Sequence, residues 1–455
     1  MNSSEQKITT TGNATIIAYD GSPIIATDPW YGDEDSAYFG SWILSHRIPS
    51  QLKKDIIKSK YIWFSHGHPD HLNPNSLKRL KGKKILLPDH IGSRIFNDLS
   101  DLDYDVNILP DRDWVQLSKN IKIQCITNHL QDSILLIDVC GKLFINLNDA
   151  GVKGCSNYIK KISKNYEHSY LLVLAGYGDA DMINFFDEDG RFIEPMASRK
   201  LNVGEQYNYY ANLTDSNHII PFSSFHQYQR TDSIWAQKYT TPKEAFGEGI
   251  SDKYDFIPEF STVDCNNLET YQNDSKAIIV NPKKPEVFGD NWSDELTKYD
   301  KKIIKAYFEE KEMIKLSFGF ISFVVGGKTF TIKMEGKPTR GITFSLPRNS
   351  LITAIKFRIF DDLLIGNFMK TTLHDCNSLY DRNANFTYHV SKFSDNGNAN
   401  TKEQIYHYLQ NYKIRMGNEF IIDQLTDRSK EFLVRFIERD SRVFEGIKYL
   451  YSKLR

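Results

Sequence analysis

Short apolar runs, separated by turn residues and helix-like segments, fill the first half of the chain. The runs at residues 14–19 and 24–27 flank an Asp-Gly dipeptide, which is typical of a hairpin turn. A predicted helix from Pro49 to about Lys58 and a predicted strand at residues 61–64 follow. Strand, helix and strand in this order predict a layered α/β fold, in which sites are usually built at the carboxyl ends of strands.

The pattern changes in the second half of the chain. Residues 246–300 are rich in Asp, Asn, Pro and Lys and have few apolar runs, so we interpret them as a connecting region. Further on, a hairpin is predicted around Gly326-Gly327, and amphipathic helices are predicted from about residue 401 to 454. The predicted parts are a site-bearing domain at residues 8–245, the connecting region at 246–300, and a C-terminal α+β domain at 301–455.

The residues directly after the strand at 61–64 carry metal-binding chemistry. His66, His68, Asp70 and His71 fall within six positions, and imidazole and carboxylate are ligands for zinc, manganese or iron. Alternate residues of an extended or turning segment point the same way, so His66 and His68 can face one ion. Asp70 and His71 begin the next turn and face a second position. The spacing predicts two divalent cations, and a solvated histidine-rich turn is the alternative interpretation.

The pattern His-x-His-x-Asp-His after an apolar strand resembles the metal-binding signature of the metallo-β-lactamase superfamily. The resemblance implies an αββα sandwich, with further ligands in order downstream. It implies zinc as the first choice of metal, with iron or manganese as alternatives. Asp70 and Asp149 are the residues it would place in catalysis.

Four further positions follow from this resemblance, three downstream of the motif and one upstream. His129 ends a β-run and would be the third ligand of the first metal, and Asp149 would bridge both metals. His226 is favoured over His218 as the last ligand, because superfamily ligands cluster at strand ends, whereas His218 looks like a turn or helix-end residue. Asp28 would orient an imidazole from behind, or is a turn aspartate before proline. The predicted ligands are His66, His68, Asp70, His71, His129, Asp149 and His226.

Features outside the metal motif narrow the family. Segments 27–30, 65–71, 220–222 and 360–366, with the order His129 then Asp149, resemble the metallo-β-lactamase-like body of the CMP-N-acetylneuraminate hydroxylase family. Animal members carry an N-terminal Rieske domain. This sequence has no Cys/His pairs for such a cluster, so an oxygenase built on it is expected to need a separate electron donor.

Composition excludes several classes of partner. The 455 residues include 57 basic and 58 acidic side chains, and the formal net charge of −1 predicts no attraction to nucleic acid or anionic membranes. No apolar run is long enough for a membrane span, and the amino terminus does not resemble a secretory signal. Five scattered cysteines, never in a Cys-x-x-Cys pair, are those of a reduced, cytoplasmic protein.

Three functions are compatible with these residues. The favoured one is a hydrolase that uses a hydroxide held by two metals to attack a phosphoester or acyl centre, because all seven ligand places are filled. The alternative is a non-haem diiron oxygenase that hydroxylates a small molecule of the nucleotide-sugar class with a separate reductase. A binding protein without turnover is the third. Residues 301–455 would roof the site or form a homodimer contact.

Overall fold

The computed structural model describes residues 5–176, 182–199, 202–380 and 385–422. The strands are, in chain order, β1 (Gln6–Thr11), β2 (Thr15–Asp20), β3 (Pro23–Thr27), β4 (Trp42–Leu44), β5 (Tyr61–Trp63), β6 (Lys84–Pro88), β7 (Asp105–Leu109), β8 (Trp114–Gln116), β9 (Ile121–Thr127), β10 (Ser133–Val139), β11 (Lys142–Asn148), β12 (Ser169–Leu174), β13 (Phe185–Phe186), β14 (His218–Phe222), β15 (His226–Tyr228), β16 (Asp255–Phe256), β17 (Ser261–Asp264), β18 (Thr270–Gln272), β19 (Phe320–Val325), β20 (Lys328–Lys333), β21 (Gly341–Ser345) and β22 (Lys370–His374). The helices are α1 (Ser50–Lys58), α2 (Pro74–Lys78), α3 (Arg94–Asp101), α4 (Ser156–Ser163), α5 (Val203–Thr214), α6 (Lys298–Glu309), α7 (Glu312–Ser317), α8 (Arg348–Phe357), α9 (Phe360–Ile365) and α10 (Lys402–Met416), and a π-helical segment spans Tyr388–Asn396.

Two large sheets face each other. The first has the order β18-β17-β1-β2-β3-β5-β6-β7, and the second has the order β16-β14-β12-β11-β10-β9-β8. Adjacent side chains of one strand point to opposite faces, so Trp63 of β5 enters the core between the sheets while Ile62 packs toward the outer helices. Helices α1 to α3 cover the first sheet, and α4 and α5 cover the second. This is the αββα sandwich that the sequence predicts.

The predicted hairpins form. Strands β2 and β3 pair antiparallel across the Asp-Gly turn, with Ile17 opposite Ala26. Strands β19 and β20 pair across Gly326-Gly327, and both glycines have positive φ values, 58° and 73°. Positive φ at both central positions is the conformation of a type I′ hairpin turn, which glycine adopts without strain. The turn chemistry therefore determined these pairings locally.

A smaller sheet organises the C-terminal part of the chain. Its order is β13-β22-β21-β19-β20, and β13 comes from the segment that follows β12, far earlier in the sequence. A core of phenylalanines packs beneath it, among them Phe308, Phe344, Phe360 and Phe386. Strand β17, from the predicted connecting region, pairs with β1 at the edge of the first large sheet. The proposed domain boundaries stay a prediction.

Helix α10 lies where the closing helices are predicted, and residues 423–455 of that prediction lie outside the described residues. In the part of the chain that the structure describes, no helix is both long and apolar enough to cross a lipid bilayer.

Candidate metal centre

The histidine-rich turn lies between the end of β5 and the start of α2. At its beginning, the backbone N–H of Ser65 donates to Asp28 Oδ1 at 2.7 Å. At its end, the side chain of Asn73 caps α2 by accepting from the backbone N–H groups of Asn75 and Ser76. Both ends of the turn are therefore anchored.

The first two histidines of the turn point at each other's ring nitrogens. Nε2 of His66 lies 3.0 Å from Nδ1 of His68, with the rings at 82°. The other nitrogen of His66, Nδ1, lies 2.8 Å from the hydroxyl of Ser65. The structure thus brings His66 and His68 together, with one nitrogen of each directed to the same place.

Asp70, His71 and Asp149 form the adjoining group. Nε2 of His71 lies 3.5 Å from Asp70 Oδ2 and 3.3 Å from Asp149 Oδ2, and the same Asp149 oxygen is 3.9 Å from Nε2 of His66. Asp149 follows the end of β11, so strand ends from both large sheets supply this group. The carboxylate of Asp149 consequently lies between the two imidazoles that the sequence assigns to different metals.

Further contacts hold these donors in place. Asp70 accepts from the hydroxyl of Tyr38 through Oδ1 and from the amide of Asn13, at 3.0 Å, through Oδ2. Asp28 Oδ2 lies 3.0 Å from Nδ1 of His71. Asp28 thus contacts the ring nitrogen of His71 that faces away from Asp70 and Asp149. This agrees with the prediction that Asp28 orients a ligating imidazole.

The two remaining predicted ligands lie around this group. His226 opens β15 and its ring stacks on Trp42, with ring centroids 3.3 Å apart and planes 2° apart. His129 follows the end of β9, is buried, and meets the ring of Phe420 edge-on at 5.4 Å. Among the described residues, some sets of three His, Cys, Asp or Glu side chains have donor atoms that all lie within 4.8 Å of one another. Neither His226 nor His129 belongs to such a set.

His218 is not a turn or helix-end residue, and that interpretation is wrong. It begins strand β14, where its Nδ1 lies 3.1 Å from Asp255 and its ring stacks on Tyr170 at 4.3 Å. The other end of β14 leads to Ser223, whose hydroxyl lies 3.3 Å from Asp149. His218 and the metal centre therefore lie at opposite ends of the same strand.

Sequence reasoning missed two carboxylates from the C-terminal part of the chain. Asp361 and Asp362 of α9 form a second group of three with His68, and Asp361 Oδ2 lies 3.1 Å from Nε2 of His68. The sequence gives one signal for these two residues, because two adjacent aspartates interrupt an otherwise apolar segment. Nothing in that pattern identifies His68 as their neighbour.

Charge and burial act in opposite directions on the histidines. Burial alone would lower the pKa of His68, but the hydrogen bond and charge of Asp361 outweigh it and raise that pKa to about 9. The pKa of His71 is also raised, against burial, by the carboxylates of Asp70, Asp149 and Asp28. A cation that binds these imidazoles displaces their protons, so metal affinity increases with pH.

The donor set fits divalent cations. Among the described residues, both ring nitrogens of His226 are buried and have no hydrogen-bond partner, and buried Nε2 of His71 faces only carboxylate oxygens, at 3.3 and 3.5 Å. Buried polar atoms without partners are uncommon in proteins, and an ion is one explanation for them. The centre opens into a cavity of about 460 Å³. Its walls include Tyr38, Trp42, Ile183, Phe185 and Ile365 besides Asp70 and Asp149.

No protein-family model matches the chain. It is 22% identical over 292 residues to cytidine monophosphate-N-acetylneuraminic acid hydroxylase from Gorilla gorilla gorilla, which covers 60% of this chain and 47% of that protein. The chain is similar to these hydroxylases. The identity is again 22% with the protein from Homo sapiens that is named inactive cytidine monophosphate-N-acetylneuraminic acid hydroxylase, with 60% and 56% covered. The chain spans about half the length of these relatives, and the family resemblance expected from the motifs is confirmed.

Similar solved structures include CmlA, a diiron β-hydroxylase from Streptomyces venezuelae, at 11% identity and a TM-score of 0.35, covering 59% of this chain and 54% of that one. Isothiocyanate hydrolase from Delia radicum gut bacteria is 14% identical with a TM-score of 0.37, covering 56% and 98%. The αββα architecture of this chain is that of the metallo-β-lactamase fold.

Separate alanine substitutions of His226 and His218 test the choice of the last ligand. We expect His226→Ala to lose one metal equivalent, because its buried ring nitrogens face the side of the sandwich that carries Asp149. His218→Ala is the matched control and is expected to keep both metals. Elemental mass spectrometry of the purified proteins measures the number of metal ions per chain. Retention of both metals in His226→Ala would contradict the assignment of His226 as a ligand.

Proposed function

We propose that this chain is a dinuclear metalloenzyme that hydroxylates a small molecule of the nucleotide-sugar class, with electrons from a separate reductase. In this proposal His66, His68 and His129 would hold one cation, Asp70, His71 and His226 would hold the other, and Asp149 would be shared between them. The two cations, as iron, supply the activation of dioxygen that such a reaction needs.

The observation that carries the choice of hydroxylation is the composition of the cavity wall. No lysine or arginine is found among the described residues that line this cavity, and most of them are apolar or aromatic, whereas Arg94 and Lys392 line a smaller space that His66 and His68 also border. Phosphoryl-transfer sites usually place cationic side chains on the charge that develops in the transition state. An apolar wall beside the donor group instead suits a neutral C–H bond, and it excludes water from the reacting end of the substrate.

The chain's own residues then have separable tasks. Tyr38 and Asn13 fix both oxygens of Asp70, and Asp28 fixes the ring of His71. Trp42 covers the ring of His226 and forms part of the cavity wall. Similarity to hydroxylases over 292 residues supports the same reaction class.

Metal content and an oxygen assay test the proposal. Protein purified from minimal medium is analysed by elemental mass spectrometry, and its optical spectrum is recorded before and after reduction and exposure to oxygen. We expect two irons per chain and, with CMP-N-acetylneuraminic acid and a chemical reductant, oxygen uptake and a product heavier by one oxygen atom. Two zinc ions per chain, with no oxygen uptake from the iron-loaded form, would overturn it.

A hydrolase is the second candidate. His66, His71 and Asp149, whose donor atoms lie within 4.8 Å of one another, are a mixed imidazole and carboxylate set that zinc accepts readily. With zinc, the cations would lower the pKa of a water molecule and polarise an acyl or phosphoester group. Oxygen-independent cleavage of a phosphodiester or lactone by the zinc-loaded protein is the outcome that favours this function.

A further inference from the structure

We infer that Asp361 is a positioning residue of the metal centre: it holds Nε2 of His68 as the N–H donor, so that Nδ1 of His68 faces the cation beside His66. The inference rests on the proposed metal centre and extends it to the C-terminal part of the chain. If the inference holds, the C-terminal part of the chain orients a metal ligand and also lines the cavity.

The two nitrogens of His68 have different partners. Nε2 lies 3.1 Å from Asp361 Oδ2, whereas Nδ1 lies 3.0 Å from Nε2 of His66. A neutral imidazole carries one N–H and one lone pair, and an ionised carboxylate only accepts. Once a cation has displaced the second proton, the remaining hydrogen lies on Nε2, and the lone pair of Nδ1 points to the place that Nε2 of His66 also faces.

His71 shows the same arrangement at the adjoining group. Asp28 contacts its Nδ1 at 3.0 Å, which leaves Nε2 directed at Asp70 and Asp149. Metal-ligating histidines usually donate their second N–H to a carboxylate, which selects the tautomer and raises the basicity of the ligating nitrogen. Asp28 and Asp361 thus act alike on the two imidazoles. Asp28 directly follows β3, and Asp361 lies 293 residues further along the chain than His68.

The position of Asp361 is fixed by two hydrophobic cores. All six residues of α9 are buried. At the start of the helix, the ring of Phe360 lies 5.1 Å from that of Phe344 in the C-terminal core. At its end, Ile365 packs into the core under the first large sheet, and the carbonyl of Gly366 accepts from the hydroxyl of Ser41 at 2.6 Å. A helix held at both ends presents its carboxylate with little freedom, as a positioning contact requires.

Cobalt binding to the metal-free protein tests this role. We compare wild type, Asp361→Ala, and Asp361→Asn, which keeps the size and an acceptor oxygen. Affinity is measured by competition with a chelator, and stoichiometry by the visible spectrum of bound Co²⁺. We expect Asp361→Ala to weaken binding of one of two Co²⁺ ions by about 10- to 100-fold, and Asp361→Asn to restore most of that loss. Asp375→Asn, an exposed carboxylate of the same part of the chain, is the control and is expected to bind as wild type does.

The outcomes separate the inference from its alternatives. Wild-type affinity of Asp361→Ala for both ions would reject it. Loss of a whole Co²⁺ equivalent in both Asp361→Ala and Asp361→Asn would mean that the carboxylate ligates the ion directly, together with Asp362, which also rejects a positioning role. If Asp361→Ala does not fold, ¹H–¹⁵N spectra of zinc-loaded wild type decide, since a proton on Nδ1 of His68 would overturn the inference. Wild type that binds two Co²⁺ ions but hydroxylates nothing would reject only the proposed function.

Discussion

Asp149→Asn is expected to cost at least one of the two metal equivalents and to lower turnover by more than about 100-fold, a larger effect than the loss of an outer partner of a ligand. Asp149 Oδ2 lies between Nε2 of His71, at 3.3 Å, and Nε2 of His66, at 3.9 Å. Asparagine keeps the shape of the side chain but removes the negative charge that offsets repulsion between two adjacent cations. Elemental mass spectrometry and initial rates on the same preparation measure both effects.

Asp101→Asn, at the exposed carboxyl end of α3, controls for the loss of one negative charge and is expected to leave both quantities unchanged. A folded Asp149→Asn protein with two metals and full activity would remove Asp149 from the bridging position. Circular dichroism establishes that the variant is folded.

Arg230→Met is expected to lower the free energy of unfolding by about 3–5 kcal/mol, because it leaves a buried carboxylate without its cation. Arg230 and Asp290 are both fully buried, and Nη1 of Arg230 lies 2.7 Å from Asp290 Oδ2. Asp290 also accepts from the backbone N–H and the hydroxyl of Ser350, at the start of α8. The guanidinium lies 4.0 Å from the ring centroid of Phe368. This cluster joins the sandwich to the C-terminal part of the chain, and urea unfolding measures its contribution.

The matched control is Arg191→Met. Nε of Arg191 pairs with Asp187 at 2.8 Å, but the arginine side chain is 73% exposed. Exposed ion pairs contribute little, because water and salt screen them, so a much smaller change in the free energy of unfolding than that of Arg230→Met is expected. Equal destabilisation by both substitutions would show that burial of the Arg230 pair is not what stabilises the structure.

Local chemistry explains what the sequence predicts correctly. The Asp-Gly and Gly-Gly turns set their hairpins because the conformation of two residues determines which strands pair. The convergence of His66 and His68 follows likewise from their separation by one residue in a turning segment. Such features need no information from the rest of the chain.

The interpretation of His218 as a turn or helix-end residue shows where local reasoning fails. His218 and His226 flank the same apolar run in the sequence. The residues around them do not indicate which end of that strand faces the metal centre. In the structure β14 runs parallel to β12, so its carboxyl end carries Ser223 to Asp149 and its amino end leaves His218 beside Asp255. Strand direction within the sheet is a tertiary property.

By itself, the sequence determined that this chain carries a dense imidazole and carboxylate turn at a strand end in a layered α/β fold. Only the tertiary structure decided which groups complete the surroundings of that turn. Asp361 reaches His68 across 293 residues because α9 is packed between two hydrophobic cores. Backbone geometry dictates contacts between residues a few positions apart, whereas contacts over such a separation depend on how all the layers pack together, and this is not encoded in any one segment.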